Sequence, residues 1–293
     1  MENFNRLNDV YIKFLLGSPE RQTLTLNFIK AMIGEDILKG VNSLIFIDKE
    51  QGKEQNRERG TIVDIMAMMN NGTTVHIEVQ VAKDKNIFPR CLLYWSKQYG
   101  KELTVSETYD KLKPLVSIIL CNYNRDDGNK RYYNRYHIYN DVDKRIATNH
   151  FDMVFIELTK FKIKDMNHLT DSDRWLAYLA NKGNEKERRV IMDSEAMKEV
   201  QDAESRFLGD RALYNEYLRR EFARRDKQSQ MMTAYDEGKI DGKKEGIEIG
   251  ELKGALKERK LTVQCLMESN HSLEDISVIL KRPIDEIRAL INS

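Results

Sequence analysis

Long apolar runs are missing from this sequence. No stretch approaches the roughly 18 to 20 consecutive apolar residues that a membrane span requires, so no membrane-spanning segment is expected. Residues Met1 to Val10 have neither a basic start nor an apolar stretch, so no secretory signal is expected and the protein is placed in the cytoplasm. Cysteine is scarce as well. Cys91, Cys121 and Cys265 are far apart, odd in number and without CxxC spacing, which argues against a disulfide framework or a cysteine zinc site; they are expected to be reduced and partly buried. An excess of charge of one sign is also lacking. With 48 Lys and Arg against 47 Asp and Glu the formal charge is +1, so attraction to nucleic acid would have to come from a local basic surface.

What is present suits a soluble globular protein. At 293 residues, 41% hydrophobic and 32% charged, the chain can hold one core of ordinary size plus appendages. The pattern divides into a core over residues 1–165, a helical extension over 166–236, a glycine-spaced charged helix or linker over 237–257, and a small helical module over 258–293.

Apolar residues at helical spacing (Val10, Phe14, Leu15, then Leu24, Leu26, Phe28, Ile29, Met32, Ile33) predict two helices between residues 8 and 33, broken at Gly17-Ser18-Pro19. Val41 to Ile47 reads as a strand and the charged stretch 48–58 as a solvated loop. A strand from about Gly60, running over 61–69, is joined to one over 73–81 by Asn70-Asn71-Gly72. Asn-Gly between apolar runs is a strong hairpin signal, expected here with positive φ at both turn positions. An amphipathic helix over 86–105 follows, with strands over 115–121, 131–139 and 151–158. After about residue 170 the pattern is helical, with Ser272-Leu273-Glu274-Asp275 as a capping-box-like start and Pro283 as a break.

Side chains alternate along a strand, so Asp64 shares a face with Ile62 and Met66, while His76, Glu78 and Gln80 share one face of the next strand. If the hairpin brings these faces together, Asp64 and Glu78 occupy one site. Both lie in apolar strands, where an unpaired ionised carboxylate is costly. A bound cation is one way to remove that cost; a solvent-facing sheet surface, or pairing with Arg59 or a lysine, is another. Two carboxylates with a backbone carbonyl and waters suit Mg²⁺, a hard ion that prefers oxygen ligands. By spacing alone both readings stay open.

Several motifs together resemble the Rpn, or PD-(D/E)XK nuclease family transposase, group. They are Asp9-Val10-Tyr11-Ile12-Lys13, Arg59-Gly60-Thr61-Ile62-Val63-Asp64, Glu78-Val79-Gln80, and Arg90 to Tyr99. Tyr109-Asp110-Lys111-Leu112-Lys113-Pro114, Phe155-Ile156-Glu157-Leu158-Thr159-Lys160-Phe161 and the glycine-spaced tail extend the similarity along nearly the whole chain. The resemblance implies an α/β (α+β) fold: a restriction-endonuclease-like core of mixed sheet flanked by helices, followed by a helical C-terminal region. It implies a Mg²⁺-dependent DNA endonuclease associated with recombination or mobile elements, with Mn²⁺ able to substitute. Asp64 and Glu78 would be metal ligands, Val79 would lend its backbone carbonyl, and Gln80 would position the attacking water. Asp9 stands where related nucleases carry an acidic residue on the first helix, although a carboxylate favoured by the helix dipole explains it equally.

Gln80 stands where the superfamily carries Lys. Glutamine can orient water but supplies no positive charge, and Lys97 or Lys101 on the following helix could restore it. His76 could bind phosphate or be an ordinary strand histidine. A catalytically weak or inactive DNA-binding or assembly protein is the alternative reading.

Arg125, Lys130, Arg131, Arg135, Lys144 and Arg145 interleave with Tyr123, Tyr132, Tyr133, Tyr136 and Tyr139, a mixture suited to phosphates and exposed bases and equally to a tyrosine-rich hairpin. Asp126, Asp127, Asp141 and Asp143 dilute its charge. Gly238, Gly242, Gly246, Gly250 and Gly254 recur every four residues, giving a slowly drifting stripe on a helix that points to a homo-oligomer over a flexible linker. The terminal segment resembles a small helix-turn-helix unit whose acids offset its bases, so an interaction or oligomerising role is expected there rather than base readout.

Overall fold

The computed structural model describes residues 4–34, 37–47, 63–101, 103, 107–125 and 128–292. Two helices open it, α1 (Asp9–Leu16) and α2 (Gln22–Ile33), separated by a single 3₁₀ turn at Pro19–Arg21. The break therefore falls at the predicted Gly-Ser-Pro. Asn8 caps α1 by accepting from the Val10 amide, satisfying one of the donors that a helix start leaves unpaired.

Six strands form one mixed sheet among the described residues: β1 (Leu44–Phe46), β2 (Val63–Met69), β3 (Thr74–Gln80), β4 (Leu115–Cys121), β5 (Tyr133–Tyr136) and β6 (Phe151–Glu157). Their spatial order is β1-β2-β3-β4-β6-β5. The first three pair antiparallel, β3, β4 and β6 run parallel, and β5 closes the edge antiparallel to β6. α3 (Ile87–Gly100) makes the crossover from β3 towards β4 and ends five residues short of the predicted boundary. The edge strands β1 and β5 are also shorter than predicted. Beyond β5, residues 138–147 form a narrow arm held by a Tyr139–Ile146 bridge. The predicted loop over 48–58 and the strand start at 60–62 lie outside the described residues.

The sheet buries both faces, as parallel strands usually do. Ile65, Ala67, Val75, Ile77, Val79, Val116, Ile118, Leu120, Val154 and Ile156 belong to the larger core, with Leu15 and Phe28 of the opening helices. Trp175 of α4 (Asp171–Leu179) and Phe207 of α6 (Glu195–Gly209) join them. The opposite face carries a smaller core of Ile119, Cys121, Phe151, Met153 and Phe155, closed by Ile87 and Cys91 of α3. Between α4 and α6 lies α5 (Glu185–Ile191).

The chain divides into two compact units, residues 1–222 and 223–293. The glycine-spaced segment lies within α7 (Arg211–Glu268), a helix of 58 residues. In the second unit α8 (Leu273–Leu280) and α9 (Ile284–Asn292) pack Ile276 and Ile287 against Val263. Ser272 accepts from the Asp275 amide in the expected capping box, and Lys281 in the left-handed region turns the chain before Pro283.

The β2–β3 turn corrects one expectation. Of its residues only Gly72 has positive φ (84°), because the loop has three residues rather than two. The Gly72 amide donates to the Met69 carbonyl and the Met69 amide to the Thr73 carbonyl, giving a type I turn followed by a left-handed glycine. A Cβ at Gly72 would also meet the Lys113 side chain at 3.2 Å. Gly72→Ala should therefore destabilise the fold by about 1–2 kcal/mol in urea unfolding. An unchanged midpoint would show that the turn does not depend on this conformation.

Candidate active site

Because β3, β4 and β6 are parallel, their last residues line up along one edge of the sheet. Gln80 is opposite Cys121, and Cys121 opposite Glu157. Ligands of open α/β sheets gather beyond such carboxyl ends, where the loops leave the strands. The antiparallel hairpin brings the start of β2 to the same edge. There Asp64 stands directly opposite Glu78 in the ladder, and directly opposed residues share a sheet face.

Glu78 and Gln80 are buried, at 0% and 1% exposure, and a single guanidinium from the first turn of α3 joins them. Arg90 Nη2 donates to Glu78 Oε1 (3.0 Å) and to Gln80 Oε1 (2.8 Å), while its Nη1 donates to Asp84 Oδ2 (2.6 Å). Gln80 is further fixed because its Nε2 donates to the Ala82 carbonyl at 3.0 Å. Burial alone would lower the Arg90 pKa, but the adjacent Glu78 and Asp84 carboxylates outweigh it and hold the guanidinium above its usual value. A buried glutamate that would otherwise be costly thus has a cationic partner in the chain itself.

Arg90 is the residue that sequence reasoning missed. Lys97 and Lys101 were the expected sources of charge, yet both are exposed. At 1.5 Å rise per residue, Lys97 lies about 10 Å further along α3 than Arg90, away from the strand end. Proximity in the chain was the available signal, since Arg90 is the first arginine after Gln80 and opens the Tyr-rich helical motif.

Cys91 follows Arg90 and approaches Glu78 Oε2 with its Sγ at 3.6 Å. Val79 points its side chain into the larger core, so only its backbone is available to this site. Asp9 is the first residue of α1, where the helix dipole favours a carboxylate, and its Oδ2 lies 3.5 Å from Arg220 Nε. His76 is half-buried on β3, in register with Met66 and Ser117.

Much of the tyrosine-rich, basic stretch works inside the fold. The Tyr133 hydroxyl donates to the Met32 carbonyl, Tyr132 packs edge-on against Phe161, and Arg135 pairs with buried Asp152. Lys144 and Arg145 pair with Asp141 and Asp143. Asp126 and Asp127 lie outside the described residues. Lys130 and Arg131 are exposed, and Arg125 is half-exposed with its guanidinium 4.0 Å above the Phe155 ring.

The mixed sheet with flanking helices and a carboxylate-bearing parallel edge is the PD-(D/E)XK nuclease fold. The family described as PD-(D/E)XK nuclease family transposase matches residues 6–234, and the chain belongs to it. No curated protein and no solved structure matches the chain.

Burial pushes the Cys91 thiol well above its ordinary value, reinforced by Glu78, and pushes Cys121 up to about 12. The thiolate is the reactive form, and it forms only as pH rises past the pKa, so both thiols stay protonated and inert at pH 8. Cys265 is exposed. A thiol-specific disulfide reagent should label Cys265 rapidly in the native protein at pH 8 and reach Cys91 and Cys121 only after denaturation. Equal labelling rates for all three would contradict this burial.

Proposed function

We propose that the chain is a Mg²⁺-dependent DNA endonuclease, acting in the cytoplasm in recombination or mobile-element processes. The observation that carries this reading is the Arg90 guanidinium bridging Glu78 and Gln80, directly across the ladder from Asp64, in a chain of this nuclease family. The donor set fits a hard divalent ion: a buried carboxylate on β3, a second acid opposed to it, and the Val79 backbone between Glu78 and Gln80. Asp64, Glu78 and the Val79 carbonyl would hold Mg²⁺ or Mn²⁺, which when bound supplies an activated water and neutralises charge on the scissile phosphate.

The chain's own residues do the rest. Arg90 fixes the Glu78 carboxylate and the Gln80 amide in one geometry, and such pre-organisation avoids rearrangement during reaction. It also returns to this edge the positive charge that Gln80, in place of lysine, does not carry. Gln80, whose amide is bonded to Arg90 and Ala82, would orient the attacking water through its second N–H. Asp9 contributes at most as an acidic residue on α1.

Purified protein with supercoiled plasmid and Mg²⁺ should nick DNA, and chelation should stop it. Asp64→Ala and Glu78→Ala should reduce the rate at least about 10³-fold, and Arg90→Met about 10²-fold, with folded circular dichroism spectra. Cleavage surviving the two carboxylate substitutions would sink the assignment. A second reading, a DNA-binding protein that keeps the fold without catalysis, is favoured by the full engagement of Gln80 by Arg90 and Ala82. Binding of DNA that is indifferent to chelator, with no nicking, would select it.

We further propose that α7 pairs with α7 of a second copy. Among the described residues no neighbouring atom lies within 4 Å of a Cβ added at Gly238, Gly242, Gly246, Gly250 or Gly254, so none of them requires glycine there. Each costs the helix about 1 kcal/mol relative to alanine. Ile247, three residues before Gly250, and Leu261, seven after Gly254, are exposed on the glycine side of the helix. Sedimentation at micromolar concentration should show a dimer or larger, and Ile247→Glu with Leu261→Glu should shift it to monomer; a monomeric parent protein would overturn the proposal.

A further inference from the structure

We propose that Arg125 is a phosphate-contacting residue at this edge and that Glu157, with Lys160, is the positioning residue that holds it there; the proposal rests on the nuclease reading above. Glu157 ends β6 and is completely buried, yet the cleavage chemistry assigned to Glu78 makes no use of it. Its Oε2 accepts from the Arg125 backbone amide at 2.8 Å and lies 2.7 Å from Lys160 Nζ, while Oε1 accepts weakly from Asn134 Nδ2 at 3.5 Å. Lys160 Nζ also donates to the Asn129 carbonyl, and Asn129 Nδ2 donates to Asn134 Oδ1, both at 2.5 Å. The Phe155–Phe161 motif thereby anchors the chain leaving β4 at Arg125 and again at Asn129. A buried, hydrogen-bonded charge pair is a poor source of net stability but a strict determinant of geometry.

What that geometry delivers is the Arg125 side chain. Its guanidinium lies 4.0 Å over the Phe155 ring and 3.4 Å from the Tyr136 hydroxyl, to which Nη1 donates. Phe155 is opposite Ile119, and Ile119 opposite Glu78, so the ring under Arg125 sits in the same row and on the same face as the candidate site. Phe88, two residues before Arg90, stacks on that ring at a centroid distance of 5.6 Å. Arg90 and Arg125 are therefore both carried by elements packed around Phe155. Stacking holds a guanidinium by its face, whereas phosphate is recognised by the in-plane N–H fork. Arg125 is half-buried and held by Tyr136 and Phe155, while Arg90 is held by Glu78, Gln80 and Asp84; in this proposal Arg90 organises the site and Arg125, on the same face, meets the DNA backbone.

Steady-state cleavage of a short duplex, with binding measured at several salt concentrations, tests this. Arg125→Ala should raise KM about tenfold with kcat within about twofold, and should make the dependence of log affinity on log salt shallower by about 1. Arg125→Lys should retain the salt slope. Glu157→Gln, and Glu157→Asp, which keeps the charge but withdraws the carboxylate by one methylene, should reproduce the KM change. Combining either with Arg125→Ala should add nothing further, as expected of residues acting through one contact. A cleaving wild-type protein whose KM and salt slope ignore Arg125→Ala overturns this inference and leaves the nuclease reading standing. Wild-type protein that neither cuts nor binds DNA overturns both.

Discussion

A carboxylate placed in the middle of a sheet must have a partner, and the partner of Glu78 sets the arrangement of everything around it. The cost of an isolated ionised carboxylate away from water is large enough to prevent folding or to force protonation. Arg90 meets that demand from α3, and doing so fixes where α3 begins, how it lies across β3 and β4, and which of its side chains fill the smaller core. Phe88 and Cys91, on either side of Arg90 in sequence, pack onto the same face, so the ion pair and the apolar contacts select one docking of the helix. The same arginine also fixes the Gln80 amide, which joins the hydrophobic and the chemical roles of the helix in one side chain.

The two faces of the sheet show why the site is where it is. On one face the larger core runs without charged groups through the central strand positions Val79, Ile77, Ile118 and Val154, covered by α1, α2, α4 and α6. The other face is covered chiefly by α3 and by the chain leaving β4, and there Glu78 stands in one row with Ile119 and Phe155 while Gln80 and Glu157 lie in the next row towards the strand ends. Parallel strands concentrate loops and polar ends on one side. Apolar burial can stabilise the sheet from the first face while the second holds buried polar groups at the strand ends.

Much of this was legible in the sequence because local chemistry dictated it. The Gly-Ser-Pro break between α1 and α2, the Asn-Gly hairpin, the all-apolar β4 after Pro114 and the capping box at Ser272 each follow from the conformational limits of a few residues. The alternation of β3 put Glu78 and Gln80 on one face, and the hairpin register put Asp64 opposite Glu78. Less legible were features decided by tertiary context. The positive φ expected at two turn positions fell on Gly72 alone because one extra residue changed the turn class. The tyrosines and arginines near β5 suit a nucleic-acid surface and a tyrosine-rich hairpin alike, and packing and ion pairs occupy Tyr132, Tyr133 and Arg135. The identity of the organising cation depended on where α3 begins, which periodicity alone fixes only to within a turn.

Glu78 and Glu157 present the same physical problem at two points along one edge. Each is fully buried, each lies at or near the end of a parallel strand, and each is met by a cation a short distance further along the chain, Arg90 after β3 and Lys160 after β6. A strand end is where this solution is cheapest in conformational terms, since the chain leaving it can turn back and supply the partner without a long loop closure. The difference lies in what the second oxygen and the neighbouring groups do. Around Glu157 the contacts are backbone amide, lysine and asparagine, which fix a loop; around Glu78 they are an arginine shared with Gln80 and Asp84, and a thiol. Shared donors tie the positions of several acceptors together, so any group that draws on Glu78 is also felt at Gln80. One donor shared among several acceptors is what sets the surroundings of Glu78 apart from those of Glu157.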